Sequence, residues 1–362
     1  MVIGLEVHAQ LNTKSKAYCS DRNEYGTPPN SNVGPVSLGM PGTLPRLNKE
    51  VVQSAIKLGL ATNCQIAPHM YFARKNYFYA DLPKGYQITQ DTTPICTEGF
   101  IEIETEGQKK KIGVTRIHME EDAGKSIHDQ DPFDTLIDLN RAGVPLLEIV
   151  SEPDLRSSEE AYAYLAEVRK LVRYLEICDG NMEEGSLRCD ANISVMLKGS
   201  DTFGTRAEVK NMNSLRNVQR AIEHEVDRQV EIIEKGGTIE QQTRNFDAVS
   251  GTTILLRSKE DAHDYRYFPE PDLLPVTVAQ NEIEEVRKHL PPLPSELILK
   301  YTDKLGLSEY DARVLTEDKS IALYFEELTN HTDNYKAAAN WLMGEIKSHL
   351  NQNGIGIKAF PL

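Results

Sequence analysis

Acidic side chains in this chain fall on every second residue of short apolar runs, a pattern that lines one face of a β-strand with carboxylates while the other face joins a core. In residues 3–10 (IGLEVHAQ), Ile3, Leu5, Val7 and Ala9 share the apolar face and leave Glu6, His8 and Gln10 together on the other. Residues 187–195 alternate in the same way, with Arg188, Asp190, Asn192 and Ser194 on the polar row, and residues 206–210 set Glu208 beside Arg206 and Lys210. Glu148 is embedded between Leu146, Leu147, Ile149 and Val150, and residues 118–125 (HMEEDAGK) crowd Glu120, Glu121 and Asp122. Adjacent carboxylates repel and raise one another's pKa unless a cation neutralises them, so a divalent metal is the chemistry this pattern suggests. Magnesium prefers oxygen ligands, so direct ligation by His8 leans the site toward manganese, or places His8 outside the first ring of ligands. For any single strand of this kind a solvated sheet face is the favoured explanation. For Glu148 that explanation is weaker, because a carboxylate buried unpaired in such a run costs several kcal/mol.

Groups that could handle phosphate are less orthodox. The chain has no GxxxxGK[ST] loop and no kinase-type glycine loop. Residues 74–79 (RKNYFY) with 83–87 (PKGYQ), and residues 263–272 (HDYRYFPEPD), interleave cations with aromatics and suit phosphates and a base or sugar. An ordinary surface loop with an aromatic anchor accounts for them as well. No GxSxG elbow occurs, and no serine or cysteine sits in a recognisable motif context with a histidine, which argues against covalent nucleophile chemistry.

The elements that must position these residues are legible in part. Ser157-Ser158-Glu159-Glu160 reads as a helix start, after which Ala161, Leu165, Val168, Leu171, Val172 and Leu175 recur at helical spacing. A second helix is predicted from about Ser214 to Lys235, stopped by Gly236-Gly237. Three prolines in residues 290–294 (LPPLP) forbid a regular helix or central strand and mark a domain border. Beyond it the pattern is helical from Glu296 to Leu350, with breaks at Gly306 and around Thr329–Asp333. The expected fold class is α+β: residues 1–290 form one domain with an antiparallel or mixed sheet and flanking helices, and residues 291–362 begin a small helical domain.

Composition fits a multi-domain globular chain: 362 residues, 40% apolar and 26% charged. A formal charge of -15 excludes a basic field over the whole molecule, so a nucleic-acid partner must be held by local patches or by a further protein chain. Cys19, Cys64, Cys96, Cys178 and Cys189 are odd in number and lack a CxxC pair, as expected of reduced thiols. No window approaches the ~18 apolar residues of a membrane span, and a cytoplasmic protein is expected.

The same segments carry a resemblance. Residues 3–8 (IGLEVH), 74–79, 118–125, 138–141 (DLNR), 148–154 (EIVSEPD), 182–192 (MEEGSLRCDAN), 264–272 (DYRYFPEPD) and 340–344 (NWLMG) resemble, in order and spacing, the signature blocks of the B subunits of tRNA-dependent amidotransferases. The resemblance implies a cradle-shaped α+β domain, then a helical domain and a tail domain that bind tRNA, the tail lying outside this chain. It implies that ATP phosphorylates the side-chain carboxylate of Glu mischarged on tRNA(Gln) or Asp on tRNA(Asn). Ammonia is then supplied from glutamine by an amidase partner, the A subunit, with a small C subunit clamping the two larger ones.

Mapped onto that chemistry, Glu6, His8, Glu121 and Glu148 are the expected metal cluster, with Glu120, Asp190 and Glu208 in reserve. Lys75, Tyr79, Arg188, Asn192 and Lys210 are the expected nucleotide-binding groups, and Mg²⁺ or Mn²⁺ the expected ion. Many members of the family carry a four-cysteine zinc site; here Cys19 remains while the other positions read Asp21, Gly34 and Ser37, so no zinc is expected. A metal-dependent phosphohydrolase and a non-catalytic tRNA scaffold are the competing readings of the same residues.

Overall fold

The computed structural model describes residues 1–258 and 265–360. Its strands in chain order are β1 (Val2–Gln10), β2 (Gln65–Ile66), β3 (His69–Met70), β4 (Ala73–Asn76), β5 (Tyr86–Thr89), β6 (Cys96–Thr105), β7 (Gln108–Glu121) and β8 (Lys125–Ile127). They continue with β9 (Leu136–Asp138), β10 (Pro145–Ser151), β11 (Leu187–Ser194), β12 (Ala207–Lys210), β13 (Gln242–Asp247), β14 (Thr252–Ser258), β15 (Arg266–Pro269) and β16 (Val276–Thr277). Nine of them form one sheet in the order β14-β13-β12-β11-β1-β10-β7-β6-β2. Every neighbouring pair in it is antiparallel except β12 and β13, which run parallel. The chain between those two is helix α3 (Leu215–Glu234), the kind of crossover a parallel pair requires. A second sheet, β15-β4-β5, stands apart from the first. The architecture is α+β, as the alternating and helical periods predict.

Period-2 patterning decides which face is buried. Along β1, Ile3, Leu5, Val7 and Ala9 are at most 1% exposed while Glu6, His8 and Gln10 are half-buried, and β11 repeats the pattern with Leu187, Cys189, Ala191 and Ile193 inside. Helix α1 (Lys49–Ala61) packs on β6 and β7, and α3 packs on β11 and β14. Helix α2 (Ser158–Tyr174) starts where its cap residues require: Ser157 Oγ accepts the Glu160 N–H at 3.1 Å, and Ala161, Leu165 and Val168 are buried. Ser214 caps α3 by accepting the Asn217 N–H, and the helix is closed by Gly236 at φ 78, a left-handed position that suits glycine.

The chain divides into two compact units: residues Met1–Val172 with Glu176–Lys288, which end in α4 (Gln280–Lys288), and residues Arg173–Leu175 with His289–Leu362. The second unit is helical: α5 (Pro294–Asp303), α6 (Glu309–Leu315), α7 (Lys319–Thr329), α8 (Tyr335–Trp341), a π turn at Leu342–Ile346 and α9 (Lys347–Asn353). Tyr174, Tyr301, Leu315, Phe325, Ala339 and Leu342 form its core. Besides the breaks at Gly306 and after Thr329, a third falls at Thr316–Asp318. There the Asp318 side chain accepts from the Ser320 and Ile321 N–H groups and starts a new helix. The apolar period runs straight through that cap, so periodicity alone joins two helices into one.

Candidate functional site

Strand β1 lies between β10 and β11 in the middle of the large sheet, and its register determines what faces what. His8 stands opposite Glu148 on β10 and Arg188 on β11, Glu6 opposite Asp190, and Glu148 in turn opposite His118 on β7. Residues directly opposite in an antiparallel pair share a face. The carboxylates of four strands therefore converge on the side of the sheet away from Ile3, Leu5 and Val7. His8 Nε2 is 3.3 Å from Glu148 Oε2 and 3.8 Å from Glu120 Oε1. His118 Nε2 is 3.2 Å from Glu148 Oε2 and 3.6 Å from Glu120 Oε2. Ligand atoms of His8, Glu120 and Glu148 lie within 4.8 Å of one another, the one grouping of this type among the described residues.

A cavity of about 350 Å³ opens over this group. Its wall carries six carboxylates (Glu6, Asp91, Glu120, Glu148, Asp190 and Glu208) against four fixed cations (Lys75, Arg116, Lys210 and Arg257). Its roof is the small sheet: Lys75 on β4 pairs with Tyr267 on β15, and both line the cavity with Thr89 and Tyr265. The roof is fastened from behind by Arg74, whose guanidinium meets Glu270 at 2.7 and 3.0 Å and Asp272 at 3.0 Å and lies over the Tyr86 ring.

Charge in the site is shared between acids and imidazoles. Burial alone would raise the pKa of Glu148, but the His118 charge and the hydrogen bonds from His118 and His8 outweigh it and hold the carboxyl well below its usual range. Burial opposes charging of the two histidines, yet the carboxylates win: His8 is raised, mainly by Glu148, and His118 is pushed up to about 9. Glu6 is raised, first by burial and then by Glu148, Glu208 and Asp190. The two imidazoles and the carboxylates are therefore electrostatically linked where the strands meet.

Of the expected metal group, the structure brings Glu6, His8 and Glu148 to one face, and the reserve residue Glu120 completes it. Glu121 is not brought there. As the neighbour of Glu120 in a strand it points to the opposite face, where it pairs with Lys84 and accepts the Ile88 N–H at 2.9 Å. Lys84 is accordingly engaged by Glu121 rather than presented to a phosphate. Asp190 and Glu208 flank Glu6 and are joined through Lys210, which pairs with Asp190 and lies 2.8 Å from Glu208. Asn192 Nδ2 donates to Glu6 Oε1 at 2.9 Å, so it orients an acid. Arg188 is held by Asp122, which also accepts from Gln10, both at 2.8 Å. Lys75 Nζ sits 4.6 Å from the Tyr265 ring centroid, and Tyr79, which does not line the cavity, packs on Tyr77.

His118 is the member of this group that the sequence pattern does not single out. The signal is present, since Arg116, His118 and Glu120 alternate with Ile117 and Met119 as Glu6 and His8 do with Leu5 and Val7. Within the 263–272 segment, Tyr265 and Tyr267 line the cavity, while His263 and Asp264 lie outside the described residues. Cys19, Asp21, Gly34 and Ser37 do meet in space, as a hydrogen-bonded knot. Asp21 Oδ2 accepts from the Gly34 N–H at 2.7 Å and Ser37 Oγ at 2.8 Å, and Cys19 Sγ is 3.5 Å from Ser37 Oγ.

A family model described as the GatB/GatE catalytic domain matches residues 1–284. The chain is 55% identical over 362 residues to the B subunit of the aspartyl/glutamyl-tRNA(Asn/Gln) amidotransferase of Syntrophotalea carbinolica, a span of 100% of this chain and 76% of that relative. It is 57% identical over 364 residues to the proteins of the same name from Geotalea daltonii and Geobacter sulfurreducens, again with 100% of this chain and 76% of each relative.

Proposed function

The chain belongs to the family of the GatB/GatE catalytic domain, and from that premise we propose that it uses ATP to activate a side-chain carboxylate for amidation by ammonia. It is a component of a ligase-type, tRNA-dependent amidotransferase of several subunits, which amidates Glu or Asp carried on tRNA. The observation that carries the proposed activity is the meeting of His8, Glu120 and Glu148 on one sheet face, beside Lys75 and Lys210 in one cavity.

The acceptor carboxylate is already an anion, so transfer of a phosphoryl group to it needs little general-base help; the site must align the reactants and screen negative charge. A carboxylate oxygen attacks the γ-phosphorus of ATP, ADP leaves, and an acyl phosphate results. Ammonia then attacks the acyl carbon, phosphate departs, and the nitrogen sheds a proton. Lys75, which no carboxylate pairs among the described contacts, is the cation suited to neutralise phosphate oxygens, while Lys210 is held between Asp190 and Glu208.

Two carboxylates and one imidazole with converging ligand atoms make a donor set suited to Mg²⁺ or Mn²⁺, which Glu120, Glu148 and His8 would hold with Glu6 alongside. When bound, such an ion neutralises developing charge on phosphate oxygens. His118 contacts both Glu120 and Glu148 within the same cavity and fixes their orientation, and Asn192 does the same for Glu6. A neighbouring cavity of about 280 Å³, lined by Val2, Val150, Pro153 and Phe203 together with Ser151, Asn192 and Arg206, adjoins the site at Glu6. Apolar walls beside a cation suit a nucleoside base and its polyphosphate.

Ammonia comes from an amidase partner, the A subunit, which a small C subunit clamps to this chain. In support, burial raises the pKa of all five cysteines, Cys178 to about 12, so none is poised as a thiolate to hydrolyse glutamine. The test is the reconstituted complex with ATP, glutamine and each mischarged tRNA, scored for amidated aminoacyl-tRNA and for ADP. Amidation that proceeds without nucleotide consumption would overturn the proposal.

A further inference from the structure

The roof of the cavity carries more aromatic surface than closing it requires. Lys75, Tyr77, Tyr265 and Tyr267 share the inward face of the small sheet and its extensions, since Lys75 stands opposite Tyr267 and strand residues two apart point the same way. Tyr77 packs edge to face on Tyr265 and on Tyr79, each with ring centroids 5.6 Å apart. Lys75 Nζ lies 4.6 Å from the Tyr265 ring and 6.0 Å from the Tyr77 ring. The series begins inside, where Tyr265 and Tyr267 line the cavity, and ends outside, with Tyr79 49% and Tyr267 42% exposed. Tyr79 and Tyr267 are too open for a core cluster, with Tyr77 and Tyr265 half-buried between them, and the cation among the rings disfavours an apolar peptide as the occupant.

The reaction says what must cross this rim. The reacting carboxylate is joined by only a few bonds to the terminal ribose of the tRNA, so when it enters the cavity the last nucleotides are drawn to the mouth. Those nucleotides are unpaired, and unpaired bases bind where aromatic faces and cations are interleaved. We propose that Tyr77, Tyr79, Tyr265 and Tyr267, grouped around Lys75, form a shelf on which the 3′-terminal nucleotides of the aminoacyl-tRNA stack while the aminoacyl group enters the cavity. This rests on the tRNA-amidation reading above. Lys75 is the cation set among these rings, while Arg266, adjacent to Tyr267 in β15, points to the opposite face of the small sheet and takes no part in the shelf.

The experiment is a double-mutant cycle on binding, with the complete amidotransferase complex and labelled deacylated tRNA, intact or stripped of its terminal nucleotides. Stripping should weaken wild-type binding about tenfold, the weight of one base–aromatic stack. Tyr267→Ala should weaken binding of intact tRNA by about as much and make stripping cost nothing further, while Tyr267→Phe should behave as wild type. If Tyr267→Ala fails to assemble, Tyr79→Ala carries the same cycle. Equal cost of stripping in wild type and alanine variant would overturn the shelf. A wild-type complex that shows the coupling yet amidates neither mischarged tRNA would count against the functional reading alone.

Discussion

Glu120 and Glu121 are neighbours on β7 and serve opposite faces of the same sheet: Glu120 Oε2 lies 3.6 Å from His118 in the acidic group, while Glu121 is ion-paired to Lys84 behind it. One strand step thus separates a candidate metal ligand from a buried structural ion pair, and substitution should separate them cleanly.

Glu120→Gln removes charge from the acidic group and should abolish detectable Mn²⁺ binding, with amidation falling at least about 100-fold. Glu121→Gln should retain Mn²⁺ binding but lose about 3 kcal/mol of stability, because it strands the Lys84 ammonium at a site only 6% exposed. Calorimetric metal titration and urea unfolding of both variants decide the matter. Loss of metal binding in Glu121→Gln with unchanged stability would reverse the two assignments.

Glu6→Gln tests the outer part of the group. The substitution keeps the shape and a partner for Asn192 but removes a carboxylate, and the buried row Ile3, Leu5 and Val7 is untouched. Amidation should fall about 100-fold while the unfolding midpoint stays within a few degrees. A variant that amidates at the wild-type rate would remove Glu6 from the site.

The pH dependence of stability has a separate origin on α3. Glu225 is fully buried and is held by Arg228 at 2.6 and 2.9 Å, by Gln229 at 2.8 Å and by Thr253 at 3.0 Å. Burial opposes its ionisation, but Arg228 and Gln229 prevail and hold its pKa below the ordinary 4.5. With a depressed native pKa, the unfolded state binds more protons as pH falls. The contribution is therefore complete above the unfolded pKa and is lost as pH drops through the native one. Glu225→Gln should cost about 3 kcal/mol at neutral pH and flatten the stability profile between about pH 5 and pH 3. Parallel profiles for variant and wild type would show that other carboxylates carry the acid sensitivity.

How much of this is legible in the chain depends on how local the determinant is. The polar rows of β1 and β11 follow from alternation, a property of a single strand, and so do the caps of α2 and α3. The choice between Glu120 and Glu121 is not local: both sit in an apolar context, and only the pairing of Glu120 with Leu146 and of Glu121 with Pro145 settles which faces His8. Arg74 and Arg188 mislead for a related reason. Their partners, Glu270 and Asp122, are 196 and 66 residues away, so nothing nearby marks them as already paired. The roof is invisible for the same cause, since β4 and β15 are distant in sequence and join only in the fold.

Dependence on a partner for nitrogen follows from the division of roles proposed above. This chain alone should release no ammonia from glutamine, whereas in the absence of the amidase partner free ammonium at high concentration should support amidation of mischarged tRNA. Glutaminase activity from the isolated chain would contradict the assignment of roles.

Affinity for tRNA should be weak in the isolated chain and steeply improved in the complex. A net charge of -15 gives no long-range attraction for a phosphate backbone, and the cavity itself is richer in acids than in fixed cations. Arg74 and Lys84 are already committed to carboxylates, which leaves Lys75, Arg266 and a few others for phosphate contact. Roughly three such contacts to a single strand correspond to a slope of about -2 in log K against log salt. The complete complex, with further tRNA-binding surface, should show a steeper slope and tighter binding at every salt concentration. Titrations of labelled tRNA from low to physiological ionic strength measure both quantities. Binding by this chain that matches the complex and ignores salt would show that the catalytic domain anchors tRNA through base contacts alone.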